Sequence, residues 1–296
     1  MAKPNFLIIG AEKSGTTWLY DRLRRHPDVF MPSVKELHFF NSRNSNLEPA
    51  DTYASKGLEW YEYHFRNVDG EAAVGEATPM YLCDSLAPAR IREVLPDAQL
   101  IACLRYPTDR AYSHYWMAHG KDHVRKDFKE LVRERDPRFV ERGSYGEQLN
   151  QYLSHFDRDQ ILILIHEEIF EEPSRTLNRV CSFLDVSDTF FQNEHWITEK
   201  VHPSSTERSI VLHRAIGAIA KWMRCHKGTR RLLDWIKSMG MASWLKKANK
   251  KPRQYPEMPS GVRKELDVYY TPTVRRVENL LGRRIESWRE QSTTEI

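Results

Sequence analysis

Four short apolar runs punctuate this chain: Asn5–Gly10, Ala73–Glu76, Gln99–Leu104 and Gln160–His166. Each is too short for an ordinary helix and shows no polar–apolar alternation, which is the pattern of a strand buried on both faces, as in a parallel sheet. Between them the apolar positions recur at helical spacing. The segments are Thr16–His26, closed by Pro27; Pro107 to about His119, where the proline suits a first turn; Glu147–His155; and Ser174–Leu184. This alternation predicts βα units, and hence an α/β fold with a mostly parallel central sheet flanked by helices. Ala50–Asn67, aromatic and polar, predicts irregular chain with short helices. From Ser209 to about Ala248 the period is helical again, and Ser260–Trp288 adds a further helical layer, so the C-terminal part reads as a helical lobe. Residues 1–296 read as a single domain, with the helical segment of about 209–250 inside it.

The first run ends in Gly10-Ala-Glu-Lys-Ser-Gly-Thr-Thr17, a phosphate loop between a strand and a helix. A nucleoside-triphosphate loop has the form G-x-x-x-x-G-K-[ST]. Here Gly10 and Gly15 keep the spacing and Thr17 keeps the hydroxyl, but Thr16 holds the lysine slot and Lys13 sits inside the loop. Backbone N–H groups and the following helix N-terminus still cradle an anion. What is missing is the side chain that reaches a β/γ-phosphate beside Mg²⁺. The third run ends in Arg105 rather than in a carboxylate, so the sequence implies no metal.

Charge is unevenly spread. The net charge is +4, yet Lys221–Lys251 holds ten Lys/Arg against the single acid Asp234, which leaves about −5 for the remainder. A solvated helical face, an anion-docking surface and membrane-surface attachment all suit such a segment; no nucleic-acid recognition motif accompanies it, and membrane contact is not expected. Four cysteines without metal-like spacing, and no apolar stretch long enough to span a bilayer, imply a reducing compartment.

Four pieces of the chain together resemble one family. Lys13-Ser-Gly-Thr-Thr-Trp-Leu19 looks like the 5′-phosphosulfate loop of sulfotransferases that use 3′-phosphoadenosine 5′-phosphosulfate (PAPS). Arg105-Tyr-Pro-Thr-Asp-Arg-Ala-Tyr-Ser113 resembles their 3′-phosphate segment, Lys35-Glu-Leu-His-Phe-Phe40 the acidic motif of the heparan-sulfate-type branch, and Lys251-Pro-Arg-Gln-Tyr-Pro-Glu-Met258 that branch's late cofactor-closing loop. The resemblance implies a P-loop fold and sulfuryl transfer from PAPS to a hydroxyl, or an amine, of a carbohydrate or small metabolite, with 3′-phosphoadenosine 5′-phosphate (PAP) released. It implies Lys13 as electrostatic stabiliser, Glu36 as base with His38 as the rival base, and Ser14, Gly15, Thr16, Thr17 and Trp18 at the cofactor. Arg105 and Ser113 are implied at the 3′-phosphate, with Tyr145, Lys251 and Arg253 as further cofactor contacts. Two departures stand out: Gln254 replaces a usual basic residue, and Ala77 stands where those members carry a substrate-contacting lysine, which argues against a highly anionic glycosaminoglycan. Glu76 beside it reads as a second acid or half of a structural ion pair. Golgi members carry an N-terminal anchor, so the resemblance here implies a soluble, cytoplasmic bacterial enzyme or, alternatively, an isolated catalytic domain. The alternatives are a P-loop small-molecule kinase and a non-catalytic nucleotide-binding scaffold.

Overall fold

The computed structural model describes residues 2–120, 124–191, 195–198, 205–207, 250–252 and 255–293. The chain divides into two compact units, Met1–Val201 with Met258–Ile296, and His202–Glu257. The first carries, in order, β1 (Phe6–Gly10), α1 (Thr16–Leu23), β2 (Val29–Phe30), α2 (Thr52–Tyr63), β3 (Ala73–Ala77), α3 (Ala87–Val94), β4 (Gln99–Leu104) and α4 (Pro107–His119). It continues with α5 (Phe128–Arg133), α6 (Tyr145–Leu153), β5 (Ile161–Ile165), α7 (His166–Glu171) and α8 (Pro173–Phe183). The second unit contributes β6 (Ser205–Glu207) and β7 (Lys250–Pro252), paired antiparallel. The basic stretch between those two strands lies outside the described residues. The chain then returns to the first unit as α9 (Ser260–Leu281) and α10 (Glu286–Gln291).

Five parallel strands form one sheet in the order β2-β3-β1-β4-β5. From β1 the chain passes to the edge strand β2 and returns inward through β3, then crosses over β1 to β4 and builds outward to β5. The strand order therefore reverses at β1, and the carboxyl ends of β1 and β4 border the crevice where such sheets bind ligands.

Successive residues of each strand face opposite ways. Leu7, Ile9, Leu100, Ala102, Leu104, Ile161 and Ile163 fill the core on one face, and Phe6, Ile8, Ile101, Cys103 and Leu164 fill the other. Both faces are covered, which is why these runs read as continuously apolar rather than alternating. Cys103 is a buried small apolar residue whose thiol is pushed up to about 12 by burial. A third cluster joins α4 and α5 to α9 through Ala111, Tyr115, Leu131, Val262 and Leu266.

The structure adds elements that the pattern did not predict. β2 is a two-residue edge strand, too short to register, and α3, α5 and α7 span only two turns or less. The Ala50–Asn67 region is more regular than expected: α2 runs through it with a break at Gly57, where φ is 74° and ψ 171°. The first helix closes at Leu23 instead of reaching His26.

Where β1 meets β3 there is no room for a side chain at Gly75. Phe6 lies opposite Gly75, and a Cβ at Gly75 would sit 2.3 Å from the Phe6 ring. Gly75→Ala must displace a fully buried ring, and overpacking of this kind costs about 1–3 kcal/mol. Denaturant unfolding should show that loss; a variant as stable as the parent would contradict the packing described.

Candidate active site

The phosphate loop begins at the carboxyl end of β1, where the Ala11 N–H donates to the Cys103 carbonyl of β4 at 2.7 Å. Gly15 caps α1 with φ 92° and ψ 2°, a conformation that favours glycine. A side chain there would also press on His166 Nδ1, 3.3 Å from the added Cβ. Thr16 and Thr17 open α1, so their N–H groups belong to the helix end that attracts anions. Lys13 is half-buried, with φ 71°, and its Nζ lies 3.7 Å from Met117 Sδ on α4. Ser113 is one turn earlier on that helix, on the same face. Glu12, the loop's only acid, is ion-paired with Arg142. Lys13 thus sets the loop's net charge.

Arg105 follows β4, half-buried, and no described residue hydrogen-bonds or ion-pairs with its guanidinium. The next residue is held firmly. Glu167 accepts from the Tyr106 N–H at 3.1 Å and from Trp288 Nε1 at 2.8 Å. Asp267, fully buried on α9, accepts from the hydroxyls of Tyr106 and Thr108, both at 2.7 Å. The C-terminal helices therefore fix the strand end that presents Arg105.

Several buried polar groups around the loop lack protein partners. They include Ser14 Oγ, Tyr145 Oη, His166 Nδ1, His114 Nδ1, two nitrogens of Arg110 and Nε of Arg142. Burial pushes the Tyr145 hydroxyl up to about 12, although Arg110 and the nearby Ser14 hydroxyl oppose this; neither hydroxyl completes a hydrogen bond of normal geometry. Burial, then the charges of Arg105 and Lys13, depress His166 to about 3, against a weaker opposing contact with the Ser14 backbone. The imidazole is neutral. His114 is likewise held neutral by burial, then by Arg110, Arg142, Lys13 and Arg138. A cavity of about 10 Å³, near the space one water needs, is lined by Glu12, Cys83, Arg110, Arg142 and Gln148 among others. Orphaned donors and cations beside a phosphate loop suit a polyanionic ligand, because burial leaves them few alternatives.

The base candidates lie together. Glu36 and His38 both adopt left-handed backbone, with φ 65° and 53°, on either side of buried Leu37. This segment is neither strand nor helix, yet the two side chains meet, with His38 Nε2 3.7 Å from Glu36 Oε2. Lys35 Nζ bonds the other carboxylate oxygen. Fully buried Asn41 donates from Nδ2 to the Arg43 carbonyl at 2.7 Å, which leaves its Oδ1 to accept from His38 Nδ1 at 3.1 Å. A neutral His38 consequently carries its proton on Nδ1 and turns the Nε2 lone pair towards Glu36.

The structure thus brings together Lys13, Ser14, Gly15, Thr16, Thr17, Arg105 and Tyr145, and separately pairs Glu36 with His38. Trp18 is buried, its indole N–H donating to the Ile197 carbonyl at 3.1 Å. Arg253 and the side chain of Lys251 lie outside the described residues. Glu76 forms no ion pair with any described residue; its partners are hydroxyls. The sequence reading missed His166, His114 and Arg142. Their signal is burial beside the loop, which the sequence does not carry. No candidate metal cluster occurs among the described residues, and no described helix is long and apolar enough to cross a membrane.

The His166 environment has a consequence for acid stability. Its folded value of about 3 lies below the ordinary 6.5, so the unfolded chain takes up a proton that the folded chain refuses. The stabilisation is present above about pH 6.5 and is lost as pH falls towards 3. His166→Gln should flatten this part of the stability profile, leaving a residual slope from His114, which has the same sign. Equal slopes for parent and variant across that window would contradict the assignment.

The geometry agrees with comparisons to known proteins. The sulfotransferase domain family matches residues 3–252. Mouse (Mus musculus) bifunctional heparan sulfate N-deacetylase/N-sulfotransferase 4 is 30% identical over 214 residues, covering 64% of this chain and 23% of that protein. Human (Homo sapiens) heparan sulfate glucosamine 3-O-sulfotransferase 3B1 is 34% identical over 190 residues, 61% of this chain and 46% of that protein. The chain therefore spans less than half the length of these relatives. A sulfotransferase structure from Alicyclobacillus acidocaldarius superposes with a TM-score of 0.69 at 27% identity, covering 98% of this chain and 100% of that one. These matches bear out the resemblance carried by the loop and the acidic motif: the chain belongs to the sulfotransferase family, alongside its heparan-sulfate-type members.

Proposed function

We propose that this protein transfers the sulfuryl group of PAPS to a hydroxyl, or an amine, of a carbohydrate or small metabolite and releases PAP. The observation that carries this reading is the loop itself: a lysine-bearing phosphate loop, without the post-glycine lysine, at the sheet's switch point beside Arg105. Residues 14–17 hold the 5′-phosphate, Arg105 and Ser113 the 3′-phosphate, with Tyr145 near the adenine or the 3′-phosphate; Trp18, its indole N–H committed to Ile197 in the core, is not among the contacts. The relatives' names supply carbohydrate as the acceptor class, and buried Ala77 removes a cation that a highly anionic polymer would need. We place the site of action in the cytoplasm, without nucleic acid as partner.

In the transfer the acceptor oxygen attacks sulfur as its O–H proton passes to Glu36. The bond from sulfur to the bridging oxygen breaks, and its electron pair stays on the 5′-phosphate of PAP. Lys13 acts on that developing charge, where a positioned cation lowers the barrier most. Lys35, donating to one oxygen of Glu36, steadies the carboxylate, and His38, with Nε2 turned to the same point, is the rival base. No step in this scheme uses a metal.

Glu36→Gln keeps the shape and removes the basic oxygen, so turnover should fall by about 10²–10⁴-fold with PAP affinity nearly unchanged. His38→Gln should cost far less. A dead His38 variant beside an active Glu36→Gln would transfer the base role to the histidine.

A further inference from the structure

The segment carrying the base candidates is costly to hold. Left-handed backbone at two non-glycine residues, Glu36 and His38, persists only where surrounding contacts enforce it. The enforcing contacts come from one place. The Glu36 N–H donates to the Ala77 carbonyl at 3.1 Å, the His38 N–H to Thr78 Oγ1 at 3.4 Å, and the Phe39 N–H to Tyr81 Oη at 3.1 Å. The Leu37 N–H acts on the Glu76 carboxylate. Residues 36 to 39 are thus gripped, N–H by N–H, from the end of β3 and the turn after it.

Glu76 is the hub of that grip. It is 1% exposed, and it accepts from Tyr81 Oη at 2.7 Å, Thr78 Oγ1 at 2.8 Å and Tyr61 Oη at 3.2 Å. A carboxylate only accepts, and offers about four lone-pair sites to these donors. The hydroxyl protons of Tyr81 and Thr78 are therefore committed to Glu76. Only lone pairs remain on those oxygens, and these are what the N–H groups of Phe39 and His38 require. A neutral amide at position 76 keeps one accepting oxygen but puts an NH2 donor in place of the other, so one of the two hydroxyls loses its acceptor and is released to rotate.

We infer that Glu76 is a positioning residue for the proton acceptor: its buried carboxylate orients the Tyr81 and Thr78 hydroxyls, which hold residues 36–39 so that Glu36 and His38 meet. This rests on the proposed role of Glu36 and adds a residue that touches neither cofactor nor acceptor.

A double-mutant cycle tests it, with PAPS-dependent turnover and PAP affinity measured on each variant. Glu76→Gln should lower kcat by about tenfold or more while the Kd for PAP stays within about twofold. In a Glu36→Gln background the same change should cost less than about threefold further, because it acts through a group already removed. Tyr81→Phe, a gentler lesion of the same grip, should show the same pattern in smaller measure, and it carries the cycle if Glu76→Gln fails to fold. Losses that multiply in the double variants, or a weakened PAP affinity with unchanged kcat, would overturn the inference. A Glu36→Gln variant as active as the parent would instead refute the base assignment, and this inference with it.

Discussion

The proposed metal-free binding of two phosphates requires N–H groups and cations to converge with little counter-charge nearby, and the described residues around the loop meet that requirement. The reversal of strand order at β1 puts the loop and Arg105 at adjacent strand ends. Around them, acids are either occupied or kept at a distance. Glu12 is paired with Arg142, and Glu167 and Asp267 spend their oxygens on Tyr106, Thr108 and Trp288. The nearby histidines, His114 and His166, are neutral. A buried guanidinium such as that of Arg110, with a single carbonyl partner among the described residues, is expensive in an empty site and favourable beside an anion.

The proposed acceptor side follows a different rule. There the problem is one of direction: a carboxylate and an imidazole must face one point from a segment with no regular backbone. The chain solves it with hydroxyls whose protons are committed to Glu76 below and whose oxygens receive the segment from above. Lys35 on one side and Asn41 on the other complete the arrangement. Sulfuryl transfer depends on positioning and electrostatics more than on covalent chemistry, so such fixed geometry is where rate is gained.

Much of this was legible in the chain. β1, β3, β4 and β5 appear as apolar runs because both of their faces are buried, and the loop, Arg105 and Ser113 are fixed by local spacing on a strand end and the next helix. β2 was not legible, since two residues carry no period, and neither were the short helices. Whether Glu36 and His38 converge could not be read, because two residues apart means one thing on a strand and another on a helix, and the backbone there is neither. Glu76 reads from sequence as a second acid or half of an ion pair because sequence shows charge, not the hydroxyls that folding brings to it. His166 and Arg142 reach the loop only through tertiary packing.

The central claim is that this loop holds a nucleotide with phosphates at the 3′ and 5′ positions rather than a metal-bound triphosphate. Thermal unfolding of the intact chain with PAP, and separately with ATP–Mg²⁺, tests it directly. At about a hundredfold excess over its Kd, a bound ligand stabilises by about 2.7 kcal/mol, which is a readable shift in Tm. The account predicts that shift with PAP, little with ATP–Mg²⁺, and no dependence of the PAP effect on EDTA. A shift with ATP–Mg²⁺ and none with PAP would contradict it.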